Sequence, residues 1–136
     1  IGKALVRRAG HSAAILAFGS MVKPALEASE TLDATVVDMR FVKPIDEQLI
    51  RELAVSHQLI VTIEENVTMG GAGSAVNEFL TKANIKVATL NLGLPDKFLD
   101  HGKASDMLAS VSLDCKGVIQ SVQNKLNGCK SLDNNV

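Results

Sequence analysis

Four short apolar runs, separated by segments with helical periodicity, constrain the fold of this chain more than any other feature. They recur at spacings of roughly 20 to 30 residues, which is the rhythm of alternating strands and helices. Each run is continuously apolar, as in strands that are buried on both faces of a parallel sheet. The runs cover residues 13–18, 34–39, 59–64 and 86–92. With a weaker edge strand over residues 3–10, they predict a three-layer α/β/α fold with a mostly parallel sheet of about five strands.

The segments between these runs carry helix start and stop signals. The first helix is expected to begin after Ser20 as its N-cap, with Pro24 in the tolerated first turn. The second opens at Asp46, whose carboxylate can cap it, and the third follows a glycine-rich loop. The last helix is predicted from about Asp114 to Asn127, with Gly128 as its stop.

The length of 136 residues indicates one domain. We assign residues 1–127 to that domain and residues 128–136 to a polar tail that we expect to fray. Because the chain has neither an initiator Met nor a signal-peptide pattern, we expect it to be a piece of a longer protein. Cys115 and Cys129 form no CxxC or Cys/His pattern, so reduced thiols are expected rather than a metal site.

Composition argues against two classes of partner. The chain has 3% aromatic residues, no Trp or Tyr, and a formal net charge of -1, so it lacks the basic and stacking surfaces of nucleic-acid-binding proteins. No apolar run approaches the roughly 20 residues that span a bilayer. We therefore expect neither nucleic acid nor membrane as a partner.

The glycine-rich stretch EENVTMGGAGSAVNEF, residues 64–79, follows the third apolar run. It is not a dinucleotide fingerprint, because Val76 occupies the position of the third glycine, and it lacks the Lys-Ser or Lys-Thr of a P-loop. The favoured interpretation is architectural: Gly71 and Gly73 allow positive φ and a close approach of strand and helix, and Ser74 lies in the first helical turn. An additional anion or partner role at the helix start remains the alternative.

Arg40 follows the carboxyl end of a predicted strand, where ligands of α/β proteins usually bind. It can hold an anion there, or it can pair with Asp38, Asp46 or Glu65. Glu64 and Glu65 are neighbours on one strand, so their side chains should point to opposite faces of the sheet. A mechanism with two cooperating carboxylates is therefore not expected at this position.

Asp100 and His101, in the stretch LPDKFLDHG, are the most site-like pair, because a carboxylate beside a histidine can fix its tautomer. Without a nucleophile nearby, we expect a structural or interface role. His57 lies at a helix end and is expected to cap it rather than act as a base. We predict no catalytic, cofactor-binding or metal-binding residue. The interface or anion candidates are Arg40, Glu65, Gly71, Gly73, Ser74, Asp100 and His101.

The loops after the strands should meet at one edge of a parallel sheet. Apolar residues at this edge would be surrounded by polar anchors, which is the usual composition of an interface. The apolar members are Val67, Met69, Leu94, Phe98 and Leu99, and the polar anchors are Arg40, Asp100 and His101. We expect this edge to face another domain or a second subunit.

Taken together, four stretches closely resemble the C-terminal domain of the 1-deoxy-D-xylulose-5-phosphate synthase family, within the transketolase superfamily. They are LAFGSMVKPALEAS, VVDMRFVKPIDEQLI, LIVTIEENVTMGGAGSAVNEFL and LGLPDKFLDHG. The resemblance runs in order from about Ile1 to Leu126, nearly the whole chain. Features of the first three stretches, GS…A, D-R-KPID and EE…GGAGS, are shared more loosely across the wider superfamily.

This resemblance implies an enzyme that uses thiamine diphosphate and magnesium to condense pyruvate with glyceraldehyde 3-phosphate, for isoprenoid, thiamine and pyridoxal synthesis. In that family the N-terminal and middle domains hold the cofactor, and no Gly-Asp-Gly cofactor motif occurs in this chain. The resemblance thus implies a non-catalytic domain without its own cofactor. Its partners would be the other domains of a homodimeric enzyme, in the bacterial cytoplasm or a plastid.

Two other hypotheses stay open. The chain can be a free-standing α/β module that binds a small anion through Arg40, the loop 70–74 and His101. It can also be the equivalent domain of a transketolase or of a 2-oxoacid dehydrogenase β-subunit, which the Asp-His-Gly stretch disfavours.

Overall fold

The computed structural model describes residues 2–40, 42–67, 71–94 and 113–134. The strands are β1 (Leu5–Arg8), β2 (Ala14–Ala17), β3 (Thr35–Asp38), β4 (Leu59–Val67) and β5 (Ala88–Leu94). The helices are α1 (Val22–Leu32), α2 (Glu47–Ser56), α3 (Ala72–Lys82) and α4 (Cys115–Asn134), and a 3-10 turn, Gly19–Met21, precedes α1.

The five strands form one sheet in the order β1-β3-β2-β4-β5. Neighbours among β2 to β5 are parallel, whereas β1 pairs with β3 in the antiparallel direction. All four apolar runs are strands, and the weaker run at the N-terminus is an edge strand as predicted. The predicted α/β class with a mostly parallel sheet is confirmed.

The apolar run of β2 is continuous because both faces of this strand are buried. All four of its residues are fully buried, and alternate side chains enter two different cores. Ile15 packs in a core with α1 and α4, whereas Leu16 packs in a core with α2 and α3. Helices therefore cover both faces of the sheet, which confirms the three layers.

Two helix boundaries differ from the sequence-based expectations. Helix α4 continues through Gly128 to Asn134, so the predicted stop was wrong. One glycine costs a helix only about 1 kcal/mol, which does not end a helix that is anchored through Val118 and Val122. Ser20 is not an N-cap either, because it lies inside the 3-10 turn and the cap position of α1, Met21, makes no side-chain cap bond.

His57 ends α2, as expected for a cap. Its Nδ1 lies 3.1 Å from the carbonyl oxygen of Leu53, and its Nε2 lies 2.8 Å from Oγ1 of Thr35. Thr35 stands at the start of β3 and also bonds the backbone of Gly10. The imidazole thus joins α2 to the amino edge of the sheet, opposite to the edge where ligands usually bind.

Asp46 caps α2 as predicted and also holds the N-terminal segment. Its Oδ1 accepts the N–H of Leu49 at 3.2 Å, and its Oδ2 accepts the N–H of Ala4 at 2.8 Å.

We expect Asp46→Ala to lower the free energy of unfolding by about 1–2 kcal/mol, because both N–H groups lose their acceptor. Denaturant unfolding followed by circular dichroism measures this. The adjacent change Glu47→Ala should cost less than half as much, and equal costs would contradict the capping role.

Candidate functional site

The order of the strands places a switch point beside β2. From β2 the chain crosses to β3 on one side, and from β3 it returns to β4 on the other side. Where connections leave a parallel sheet in opposite directions, a crevice opens outside the carboxyl ends of the two central strands. Here those strands are β2 and β4, and the N–H of Phe18 donates to the carbonyl of Ile63 at 3.0 Å where their pairing ends.

A crevice of about 250 Å³ lies at this point. Its base comes from the residues after β2, one wall from the residues after β3, and the other wall from β4. The described lining residues are Phe18, Gly19, Ser20, Arg40, Val42, Glu64 and Glu65. Arg40 and Glu65, both predicted as candidates, are thus brought together on one crevice.

Arg40 has an unusual backbone in this crevice. Its φ is 61°, a left-handed conformation that non-glycine residues seldom adopt, and its N–H donates to Oδ1 of Asp38 at 3.2 Å. The side chain is exposed, and no carboxylate in the described part of the chain lies within ion-pair distance of its guanidinium. The expected charge pairs with Asp38, Asp46 or Glu65 are therefore not formed.

The adjacent carboxylates Glu64 and Glu65 have different environments, as the alternation along a strand predicts. Glu64 is 1% exposed, whereas Glu65 is exposed. The Glu64 carboxylate accepts the N–H of Ala72 at 2.8 Å on Oε1 and the N–H of Gly73 at 2.6 Å on Oε2. Glu64 therefore supplies the negative charge that the N-terminus of α3 favours.

This contact supports the architectural interpretation of the glycine-rich stretch. The N–H groups of Ala72 and Gly73 bind a carboxylate of the protein itself, so these two groups are not open to an external phosphate. The conformation expected at Gly71 was wrong, because its φ of -88° and ψ of -164° are extended backbone. Gly73 lies inside α3 and does not have positive φ either.

Glycine is required at position 73 because the strands and α3 approach each other closely there, which was the second reason expected for it. A Cβ atom at this position would lie 2.7 Å from Oγ1 of Thr62, 3.0 Å from Nδ2 of Asn91 and 3.2 Å from Oε2 of Glu64. Real Cβ atoms essentially never make a contact as short as the first of these. The backbone of α3 therefore contacts polar side chains of β4 and β5 directly.

Those polar side chains form a network that the sequence analysis missed. The amide of Asn91 donates to Thr62 at 2.6 Å and accepts from the amide of Asn77, on α3, at 2.7 Å. The signal was present, since Thr62 and Asn91 each stand between two apolar neighbours on their strands. A polar residue in such a strand needs a buried partner, but the partner cannot be identified without the packing.

The remaining candidates lie partly beyond what the structure describes. Ser74 is in the first turn of α3, as predicted. Asp100 and His101 lie outside the described residues, as do Met69, Phe98 and Leu99 of the expected interface. The roles proposed for these residues stay predictions.

The shifted pKa values belong to groups away from the crevice. The pKa of Asp33, at the amino edge, is lowered mainly by its hydrogen bond to His11 and also by Arg8. Burial, with a smaller contribution from Glu27, raises the pKa of the Cys115 thiol. Cys115 and Cys129 are both free thiols, as expected.

The described ranges contain neither a cluster of metal ligands nor a membrane-spanning helix. Nowhere in residues 2–40, 42–67, 71–94 and 113–134 do three or more His, Cys, Asp or Glu side chains come together as metal ligands could. None of the helices in those ranges combines the length and the apolar character needed to cross a bilayer.

Comparison with known proteins gives consistent matches. Residues 2–118 match the family described as "Transketolase, C-terminal domain". A 1-deoxy-D-xylulose-5-phosphate synthase of Chromobacterium violaceum is 57% identical over 128 residues, which are 94% of this chain and 21% of that protein. The synthase of Pseudomonas aeruginosa strain LESB58 is 56% identical over 127 residues, 93% of this chain and 20% of that protein. The chain thus spans about a fifth of the length of these curated relatives.

Solved structures support the same fold. A split-gene transketolase, described as an inactive β4 tetramer, matches with a TM-score of 0.84 and 34% identity, over 93% of this chain and 43% of that one. A transketolase of Pichia stipitis matches with a TM-score of 0.60 and 18% identity, over 91% of this chain and 18% of that one. At this low identity, the second match indicates the fold alone.

Proposed function

The chain belongs to the transketolase C-terminal domain family, and from this premise we propose that it is the non-catalytic assembly domain of a 1-deoxy-D-xylulose-5-phosphate synthase. The observation that carries the proposal is the 57% identity to the Chromobacterium violaceum enzyme over 94% of this chain. The identity to transketolases of known structure is lower, at 34% and 18%. The reaction of the longer protein would condense pyruvate with glyceraldehyde 3-phosphate, release carbon dioxide and supply isoprenoid precursors.

The residues that the structure describes do not fit the cofactor that such an enzyme uses. A diphosphate and its metal ion need backbone N–H donors and a cluster of oxygen ligands. The N-terminus of α3 is occupied by Glu64, and the described residues contain no metal-ligand cluster. In keeping with the family resemblance, we propose that thiamine diphosphate and magnesium bind to the N-terminal and middle domains of the longer protein.

The proposed role of this chain is to pack against those domains and to contribute to a homodimer. The carboxyl edge of the sheet is the proposed contact surface, and it would surround the crevice that Arg40 and Glu65 line without filling it. Residues 1–127 would form the domain, and the residues after them, which continue helix α4 as far as Asn134, would extend it. We place the enzyme in the bacterial cytoplasm.

A domain exchange tests this function. The matching C-terminal segment of the Chromobacterium violaceum synthase is replaced by this chain, and formation of 1-deoxy-D-xylulose 5-phosphate is measured. We expect the chimera to retain at least about a tenth of the parental turnover, because a substitute domain that assembles correctly should raise the barrier by no more than about 1.4 kcal/mol. The isolated chain should form no product, and calorimetry should detect no magnesium-dependent binding of thiamine diphosphate to it.

The control is a chimera that carries Gly73→Val in this chain, which should lose assembly and activity together. Two results would contradict the proposal. One is a chimera that assembles and binds thiamine diphosphate but makes no product. The other is micromolar binding of the cofactor by the isolated chain.

A further inference from the structure

Two charged side chains face the switch-point crevice without a partner among the described residues. Arg40 follows β3 and Glu65 lies on β4, and both are exposed. Strand β2 lies between β3 and β4 in the sheet, so the backbones that carry the two charges are about 10 Å apart, twice the usual strand spacing. They line the same crevice but form no ion pair with each other.

The base of the crevice is open toward these two charges. Gly19 has a φ of 62°, and a Cβ atom there would meet nothing within 4 Å, so the chain turns without filling the space. Ser20 adds a hydroxyl group beside it, and Phe18 and Val42 add apolar surface. The base therefore combines one hydrogen-bonding group with surface that a carbon skeleton can contact.

The third charged side chain at the crevice, Glu64, already has hydrogen-bond partners. Both of its carboxylate oxygens accept N–H groups at the start of α3, which is the positive end of that helix. It therefore repels an anion less than a free carboxylate would. The charges available to a ligand are the guanidinium of Arg40 on one wall and the carboxylate of Glu65 on the other.

We propose that this crevice is a binding site for a small hydroxylated anion, such as a phosphate monoester or carboxylate that bears hydroxyl groups on neighbouring carbons. The anionic group contacts Arg40, because guanidinium forms strong charge-assisted hydrogen bonds with phosphate and carboxylate oxygens. A hydroxyl group of the same ligand donates to Glu65, and Ser20 contacts the carbon-bound oxygens between them. A simple anion without hydroxyl groups can bind Arg40 but has no hydroxyl group to donate to Glu65. The site should therefore bind a hydroxylated anion more tightly than a simple one.

The site is tested by nuclear magnetic resonance titration of the ¹⁵N-labelled 136-residue chain with glycerol 3-phosphate and, separately, with inorganic phosphate. We expect saturable shifts of the amide signals of Gly19, Ser20, Arg40 and Glu65, with higher affinity for glycerol 3-phosphate. Arg40→Gln should weaken the binding of glycerol 3-phosphate at least about tenfold, which is the usual effect of losing a hydrogen bond to a charged group. Glu65→Gln should abolish the preference for glycerol 3-phosphate over phosphate.

Lys82→Gln is the matched control. It removes one positive charge, as Arg40→Gln does, but Lys82 lies in the last turn of α3 and does not line the crevice. It should bind both compounds as the parent does. Because Arg40 and Glu65 are exposed and unpaired with described residues, their variants should unfold at the parental midpoint. Three results would each overturn the proposal. The first is that Arg40→Gln and Lys82→Gln bind glycerol 3-phosphate with equal affinity. The others are that Glu65→Gln still prefers glycerol 3-phosphate to phosphate, or that the amide shifts do not saturate.

Discussion

Replacing Glu64 by Gln should destabilise this domain by about 2–3 kcal/mol, although the side chain keeps its size. The carboxylate accepts two backbone N–H groups, one from Ala72 and one from Gly73, in a site that is 1% exposed. Glutamine offers one oxygen and one NH₂ group, so one buried N–H would face another donor. The variant also loses the negative charge at the N-terminus of α3. Urea unfolding followed by circular dichroism gives the difference.

The next residue supplies the control. Glu65→Gln makes the same chemical change on the same strand, but Glu65 is exposed, so its cost should stay within about 0.5 kcal/mol. Similar unfolding midpoints for the two variants would show that the Glu64 contact contributes no stability. The capping role of this carboxylate would then have to be abandoned.

Replacing Gly73 by Ala should destabilise the domain by about 2 kcal/mol, even though alanine favours helices over glycine by about 1 kcal/mol. The added Cβ atom would lie 2.7 Å from Oγ1 of Thr62 and 3.2 Å from Oε2 of Glu64. Thr62 is 1% exposed and hydrogen-bonded to Asn91, so it cannot move aside without breaking the polar network. Thermal and urea unfolding both measure the effect.

Gly128→Ala provides the opposite expectation. Gly128 also lies inside a helix, but a Cβ atom there would meet nothing within 4 Å. Alanine should therefore stabilise the domain by about 0.5–1 kcal/mol through helix propensity alone. If Gly73→Ala and Gly128→Ala change stability in the same direction, close packing is not the reason that position 73 needs glycine.

These contacts relate the glycine-rich stretch to the proposed function. Glu64 and Gly73 fix the start of α3 against β4, directly beside the crevice that Glu64 also lines. An external anion at this helix end would have to displace a buried carboxylate. At the crevice on this edge, Arg40 is a described cation without a described partner.

Several features could be predicted because their causes are local or periodic. A continuous apolar run such as residues 13–18 needs apolar surroundings on both faces, and a parallel sheet between helix layers provides them. Asp46 was identified as a cap because its partner, the N–H of Leu49, lies three residues ahead. The difference between Glu64 and Glu65 follows from strand alternation.

Other features depended on contacts between distant parts of the chain. Gly128 was expected to end the last helix, because the local pattern does not contain the packing of Val118 and Val122 on α1 that outweighs one glycine. Gly71 and Gly73 were expected to have positive φ, because the local pattern does not show that Thr62 and Asn91 approach the helix backbone. The network through Asn77 joins residues up to 29 positions apart.

By itself, the sequence determined the class of fold, the strands and the helix that Asp46 starts, because apolar periodicity and capping act within a few residues of the chain. Only the tertiary structure decided that the anion at the start of α3 is the protein's own Glu64. It also decided that Arg40 and Glu65 share a crevice, because that depends on β2 lying between β3 and β4. Strand order arises from how the helices pack on both faces of the sheet, and no short stretch of sequence contains that information.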